Sequence, residues 1–389
     1  MGGVAEKSDD DILAPTLGWG WFIVHRFAGI LAGNVRLRES PAAIVLHDTL
    51  SDNIARMQRF ADSHGKNLRP HVKTHKSVEI GRLQLAAGAR GITAGTVGEA
   101  EVFANAGVAD IFIAYPLWAS GTKEQRLRSL ADRTKLSIGV ESRAAADILL
   151  AALGERRAAV SLIVEIECGA GRSGVAPSQA GALARYATEL GFFVAGVYTY
   201  PGHGGTPGAR EHAARDQGEA LTEAVRSFDA VGLTADVVSA GSTPTAEFST
   251  DRVITEIRPG EYVFNDGDNL RLGACREADI ALFVAATVVS AQEPGRAILD
   301  VGSKAIGREG DPDRGFGVVA GLGYRLHKLN EYHGYLRLPV DEPQLPVGTM
   351  VPVLPNHVCP VVNSFDELTV VMPDGGCEMW PVSARGRLN

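Results

Sequence analysis

The chain has 389 residues, a net charge of −8, 45% hydrophobic residues and 22% charged residues. These are ordinary globular values, the length exceeds that of one usual core, and the acidic balance excludes a broad nucleic-acid surface. Cys168, Cys275, Cys359 and Cys377 are too scattered for a disulfide framework, so a reducing cytoplasm is the expected setting.

The first apolar stretch, LGWGWFIVHRFAGILAG (17–33), follows an acidic segment and is interrupted by His25 and Arg26. A signal peptide has the opposite flank, and a membrane helix needs about 20 predominantly apolar residues. The stretch reads as a buried helix in an N-terminal extension, 1–40, packed on the second domain, and no membrane partner is expected. AAIVL (42–46) is an apolar run that reads as the first barrel strand. Asp48 or Ser51 then caps a helix with Ile54, Met57, Phe60 and Ala61 at helical spacing. NLRPHVKTHK reads as the second strand. RGITAGT (90–96), DIFIAYP (110–116), KLSIGVE (135–141), VSLIVEIEC (160–168), FVAGVYTY (193–200), DVVSAGS (236–242) and VITEIRPGEYVF (253–264) continue the series. Helical stretches separate them, from near Glu99 and over 123–131, 143–153, 177–190 and 208–231. Short strands that are apolar on both faces and alternate with helices predict a parallel sheet. Their number predicts a closed (β/α)8 TIM barrel over 41–268. No GxGxxG follows the first strand, which counts against a dinucleotide fold. Beyond about residue 270 the pattern changes to short strands with Gly/Pro turns, which predicts a β-rich second domain, 269–389.

Chemistry concentrates at the strand ends. RPHVKTHKS (69–77) holds Arg69, His71, Lys73, His75 and Lys76. At the C-terminal end of a barrel strand such a segment faces the active-site mouth, where neighbouring cations and burial lower a lysine's pKa. A basic loop that binds phosphate or pairs with neighbouring acids is the other reading of the same residues. A histidine metal site fits less well, because the stretch holds only two histidines, His71 and His75. ECGAGRSGV (167–175) offers close backbone approach and the planar donor of Arg172. GVYTYPGHGG (196–205) places Tyr198 on a barrel strand and leaves Tyr200 and His203 open as loop residues or substrate neighbours. AGSTPT (240–245) and RPGEYVFND (258–266) supply small residues and hydroxyls at the last two strand ends, a common phosphate position in such barrels. PNHVCP (355–360) sets His357 and Cys359 two apart. On an extended segment both project to one face, a donor pair that suits zinc; a buried cysteine beside a loop histidine is the other reading of an isolated H-x-C.

Taken in order, these motifs resemble those of the D-serine dehydratase and D-threonine aldolase family, from about residue 40 to WPVSARG near the C-terminus. The resemblance implies an alanine-racemase-like barrel plus a β domain. It implies pyridoxal 5'-phosphate attached to Lys73, with Lys76 and His71 as neighbours. Arg172 falls near the cofactor's phenolic oxygen, with Glu167 where the family usually has Asp. Tyr198 falls near the pyridine nitrogen, and Gly241, Ser242, Thr243, Gly260 and Tyr262 along the phosphate. His357 and Cys359 correspond to the family's divalent-metal ligands. His with Cys occurs in its dehydratases and suits zinc; His with Asp occurs in its aldolases and suits manganese or magnesium. The implied activity is D-serine dehydratase-like release of ammonia to leave a keto acid. Retro-aldol cleavage of D-threonine or D-3-hydroxyaspartate is the alternative. A cofactor carrier without activity is disfavoured by the metal pair, and racemisation would need a second acid/base and no metal. The resemblance also suggests a homodimer.

Overall fold

The computed structural model describes residues 29–31, 39–311 and 313–389. The chain divides into two compact units. One holds Asp52–Tyr262, Arg271–Ala274 and Ser383–Asn389. The other holds the described residues up to Ser51, and those of Val263–Leu270 and Cys275–Val382.

The first strand, β1 (Ala42–Leu46), corrects the sequence expectation, because it is not a barrel strand. It pairs antiparallel with Leu282–Ser290, Ala42 opposite Ala285, and parallel with Glu367–Val371, Ile44 opposite Thr369. An apolar run buried on both faces looks the same in either sheet, so periodicity cannot name its partner. Helix α1 (His47–Ser63) follows.

Eight parallel strands then form the barrel: β2 (Asn67–Leu68), β3 (Ile92–Ala94), β4 (Asp110–Ile113), β5 (Lys135–Val140), β6 (Val160–Glu165), β7 (Phe193–Tyr198), β8 (Val237–Ala240) and β9 (Glu256–Ile257). Their spatial order is β2-β9-β8-β7-β6-β5-β4-β3. A parallel bridge between His71 and Thr93 joins the ends of this row. There the Thr93 N–H donates to Pro70 O at 2.8 Å and the Val72 N–H to Thr93 O at 2.9 Å. The (β/α)8 architecture is therefore present, with its first strand at the RPH stretch.

The covering helices include α2 (Val78–Ala86), α3 (Val97–Asn105), α4 (Thr122–Ala131), α5 (Arg143–Leu153), α6 (Ala180–Glu189) and α7 (Arg210–Asp229). Thr96 and Ser142 cap α3 and α5 by accepting the Glu99 and Ala145 N–H groups, each cap stabilising by about 1 kcal/mol. One face of the strands, with Ile92, Ile111, Leu136, Leu162 and Val197, is buried in one core with helix residues Phe103, Leu149, Leu183 and Phe228. Each such side chain contributes about 1.5–3 kcal/mol on burial. A second cluster, Phe112, Ile163, Ala195 and Tyr198, fills the opposite face of the strands.

The other unit contains all but the last residue of α8 (Gly267–Arg271), then β10 (Leu282–Ser290), β11 (Arg296–Leu299), α9 (Ser303–Ile306), β12 (Gly317–Val319), β13 (Leu326–Leu329), β14 (Gly334–Arg337), β15 (Met350–Pro355), α10 (Val358–Val362), β16 (Glu367–Val371) and β17 (Cys377–Pro381). With β1 they build a nine-stranded sheet, order β13-β14-β11-β10-β1-β16-β17, in which β15 pairs with β10 and β12. Every pairing but β1 with β16 is antiparallel. This is the expected β-rich domain, short of its first strand. Most of the apolar stretch read as an N-terminal helix lies outside the described residues. Ile30 and Leu31 pack against the cluster of Ile44, Phe283 and Leu354. Among the described residues no helix is long and apolar enough to cross a membrane.

Candidate active site

The basic stretch resolves into residues with separate positions. Lys76 adopts a left-handed backbone, φ 51°, and sets its Nζ 2.8 Å from Glu99 Oε1, both side chains buried. Glu99 accepts the Gly95 N–H on its other oxygen at 2.7 Å. Arg69 is likewise committed, to Glu256 at 2.8 Å and Asp110 at 2.6 Å. His75 is fully buried, and burial pulls it down to about 4. Lys73 is exposed, and its Nζ stands 5.8 Å from the centroid of the Tyr200 ring. The Arg172 guanidinium lies over the same ring at 4.7 Å. His71 is held well below its usual pKa by desolvation, then by the charges of Lys73, Arg258 and Arg172. Five groups, Lys73, His71, Arg172, Tyr200 and Arg258, from four strand ends thus share one neighbourhood. In a (β/α)8 barrel the C-terminal strand ends are where sites form.

Arg172 sits in a loop shaped by Glu167. That carboxylate accepts the N–H groups of Gly169 and Arg172. Desolvation would raise its pKa, but the backbone N–H groups of Gly171, Gly169, Arg172 and Ala170 outweigh it and hold it low. Arg172 also reaches Glu165 at 3.3 Å, and Ser173 donates to the same oxygen at 2.8 Å. Tyr198, at the end of β7, is 1% exposed and meets Phe112 edge-on at 5.1 Å. Its hydroxyl and the Oε2 of Glu165 have no hydrogen-bond partner at proper geometry. Burial, then the Glu165 charge, push the Tyr198 hydroxyl well above its ordinary value. Arg258 lies against the Tyr198 ring at 5.2 Å. It is fixed by bonds of 2.6 Å to Ser239 Oγ and to Thr199 O. Burial pulls its guanidinium down to about 10, opposed by Glu256, Tyr198 and Glu165.

The two predicted phosphate segments meet. The Tyr262 N–H donates to Thr243 Oγ1 at 3.1 Å. Gly241 has φ +81°, and its N–H is held by Gln217 at 3.0 Å. The Ser242 N–H goes to Thr245 Oγ1 at 3.0 Å. Gly260 abuts the lysine turn: a Cβ there would stand 2.9 Å from both His71 O and Thr74 Oγ1. The Tyr262 side chain points elsewhere, for its hydroxyl accepts from Gln84 at 3.0 Å. His203, left open by its motif, has its Nε2 3.0 Å from Asp216.

His357 and Cys359 belong to the other unit. The segment is not extended throughout, which corrects the expected spacing logic. His357 is the extended N-cap of α10 (φ −136°, ψ 122°), and Cys359 lies in its first turn. Their donor atoms nevertheless come within 4.8 Å of one another. Asp266, fully buried, faces His357 Nδ1 at 3.3 Å and accepts the Val358 N–H at 3.0 Å. An Nδ1–H donated to that carboxylate leaves Nε2 as the coordinating nitrogen. The motif reading missed Asp266, Glu165, Arg258 and Gln84. For Glu165 and Gln84 the available signal was a polar residue in an apolar run; Asp266 and Arg258 carry no such mark.

The sequence matches the model of the alanine racemase N-terminal domain over residues 45–267 and that of a serine dehydratase domain over 281–371. It is 36% identical to a D-threo-3-hydroxyaspartate dehydratase from Delftia sp. (strain HT23) over 88% of this chain and 96% of that one. It is 34% identical to a D-threonine aldolase from Arthrobacter sp. over 90% and 93%. The crystal structure of a D-threonine aldolase from Filomicrobium marinum superposes with a TM-score of 0.83 at 30% identity, covering 90% and 97% of the two chains. Solved variants of the D-threo-3-hydroxyaspartate dehydratase replace a histidine and, two residues later, a cysteine by alanine, the second in the metal-free form.

Proposed function

Since the chain belongs to the alanine racemase N-terminal-domain family, we propose that it is a pyridoxal-phosphate- and metal-dependent lyase acting on D-β-hydroxy amino acids. Ammonia-releasing dehydration, as with D-serine or D-threo-3-hydroxyaspartate, is the reaction we assign. The observation that carries this is the donor pair His357 and Cys359, oriented by Asp266 and spaced as are the two residues replaced in the dehydratase variants. A thiolate with an imidazole favours zinc over manganese or magnesium.

The residues present fit both groups. Support for the cofactor comes from an amine beside a guanidinium at the Tyr200 ring, the meeting of the two small-residue segments through Thr243 and Tyr262, and the unsatisfied hydroxyl of Tyr198. When bound, pyridoxal phosphate supplies an electron sink for Cα, and the metal supplies a Lewis acid for the β-hydroxyl. Lys73 would hold the cofactor and its Nζ would carry the Cα proton. Arg172 would stand on the cofactor's phenolic side and Tyr198 on its pyridine-nitrogen side. The segments of Gly241, Ser242 and Thr243 and of Gly260 and Tyr262 would receive the phosphate, which would take over N–H groups of Gly241, Ser242 and Tyr262 that now donate to Gln217, Thr245 and Thr243. His71 is held well below its usual value by desolvation and then by the charges of Lys73, Arg258 and Arg172, so its ring stands neutral in the segment that carries the amine. We further propose a cytoplasmic homodimer; four widely scattered cysteines suit a reducing compartment better than a disulfide framework.

The test is product analysis on a panel of D-β-hydroxy amino acids, with zinc and with manganese. A keto acid and ammonia are expected from D-serine or D-threo-3-hydroxyaspartate. Glycine with an aldehyde from D-threonine, and no keto acid from any substrate, would replace dehydration by aldol cleavage.

A further inference from the structure

Three polar side chains, His75, Gln84 and Tyr262, are 0%, 1% and 3% exposed and form one hydrogen-bonded row. The Ser77 N–H donates to His75 Nδ1 at 3.2 Å, so the ring proton is on Nε2. That nitrogen is 3.1 Å from Gln84 Oε1, which makes the imidazole the donor and fixes the amide orientation. Gln84 Nε2 then donates to the Tyr262 hydroxyl at 3.0 Å. The row has a single direction, from the turn that carries Lys73, through α2, to the segment beside Thr243.

We propose that His75, Gln84 and Tyr262 are positioning residues that couple occupancy of the phosphate cradle to the placement of the Lys73 turn. The inference rests on the reading above that both segments serve one cofactor. Packing alone does not ask for this row, since apolar side chains of the same shape at all three places would be nearly neutral for stability. What the row adds is a link between two places. At one end the Tyr262 N–H contacts Thr243 in the cradle. At the other, His75 lies two residues from Lys73, and its burial keeps the ring neutral and the direction fixed. Coupling of this kind is reciprocal: an anion that settles Tyr262 settles the turn, and a group held by Lys73 tightens the cradle.

The experiment separates the two halves of the cofactor. Pyridoxal, which lacks phosphate, is titrated by absorbance into the cofactor-free full-length chain with and without saturating inorganic phosphate. In the wild type, phosphate should tighten pyridoxal binding by about tenfold. In Gln84→Leu, and in Tyr262→Phe, which deletes one hydroxyl and keeps the fold should the first variant fail, the gain should fall below about twofold. A gain preserved in both variants, or no gain in the wild type, overturns the proposal. The outcome does not depend on lyase activity. If no D-β-hydroxy amino acid is consumed but the phosphate gain vanishes in the variants, the relay stands and the assigned reaction falls.

Discussion

Lys73 and Lys76 differ in what surrounds them, and replacing each by an uncharged residue separates their roles. Lys76→Met removes a cation 2.8 Å from Glu99, whose side chain is 3% exposed. Breaking a buried pair from one side costs about 3–5 kcal/mol, whereas replacing both charges with apolar residues is often close to neutral. Glu99 keeps the Gly95 N–H at 2.7 Å, so the lower end, about 3 kcal/mol, is expected. Lys73 is exposed, and Lys73→Ala should change stability by about 0.5 kcal/mol or less. Equilibrium unfolding in urea, with the cofactor's visible absorbance followed in the same samples, reads both effects. Lys76→Met should unfold earlier yet keep the absorbance, and Lys76→Met/Glu99→Leu should recover most of the loss. Lys73→Ala should lose the absorbance at nearly unchanged stability. A cost below about 1 kcal/mol for Lys76→Met, or absorbance lost with Lys76 and retained without Lys73, would refute the reasoning.

Further outcomes follow from the same geometry. His75 sits at about 4 against an ordinary 6.5 because of burial. The unfolded chain therefore binds the extra proton between those values, and its contribution to stability is full above pH 6.5 and lost by about 3 kcal/mol on going down to pH 4. His75→Gln should flatten that part of the pH profile, and an unchanged slope would show that His75 does not titrate this way. Asp266→Asn should weaken metal retention by about 10–100-fold, measured by chelator competition, because it withdraws the carboxylate facing His357. Gly260→Ala puts a methyl 2.9 Å from His71 O and Thr74 Oγ1. It should cost about 1–3 kcal/mol and loosen cofactor retention on dialysis.

The barrel was legible because its strands repeat a simple rule, apolar on both faces with helices between, and the positions of α5 and α7 follow from that alternation. The assignment of β1 failed for the same reason. Ala42–Leu46 is as apolar as any barrel strand, and its partners Leu282–Ala285 and Thr369–Val371 lie far along the chain. Only a long-range pairing could have placed it. The lysine turn was visible as a cluster, but not the division of labour inside it. Lys76 is set apart by Glu99, a helix residue with no sequence mark of its buried role. The His357 and Cys359 pair was found from spacing even though the strand geometry invoked for it is replaced by a helix N-terminus. Asp266 escaped notice because a lone aspartate in RPGEYVFND reads as a turn residue until His357 is seen beside it.

The central claim is that the chain works through a cofactor on Lys73. Borohydride reduction of the holoenzyme fixes the cofactor covalently, and fragmentation of the peptide spanning residues 71–82 then locates it. The account predicts the pyridoxyl group on Lys73 alone. Modification at Lys76, or at a lysine outside this turn, would contradict it.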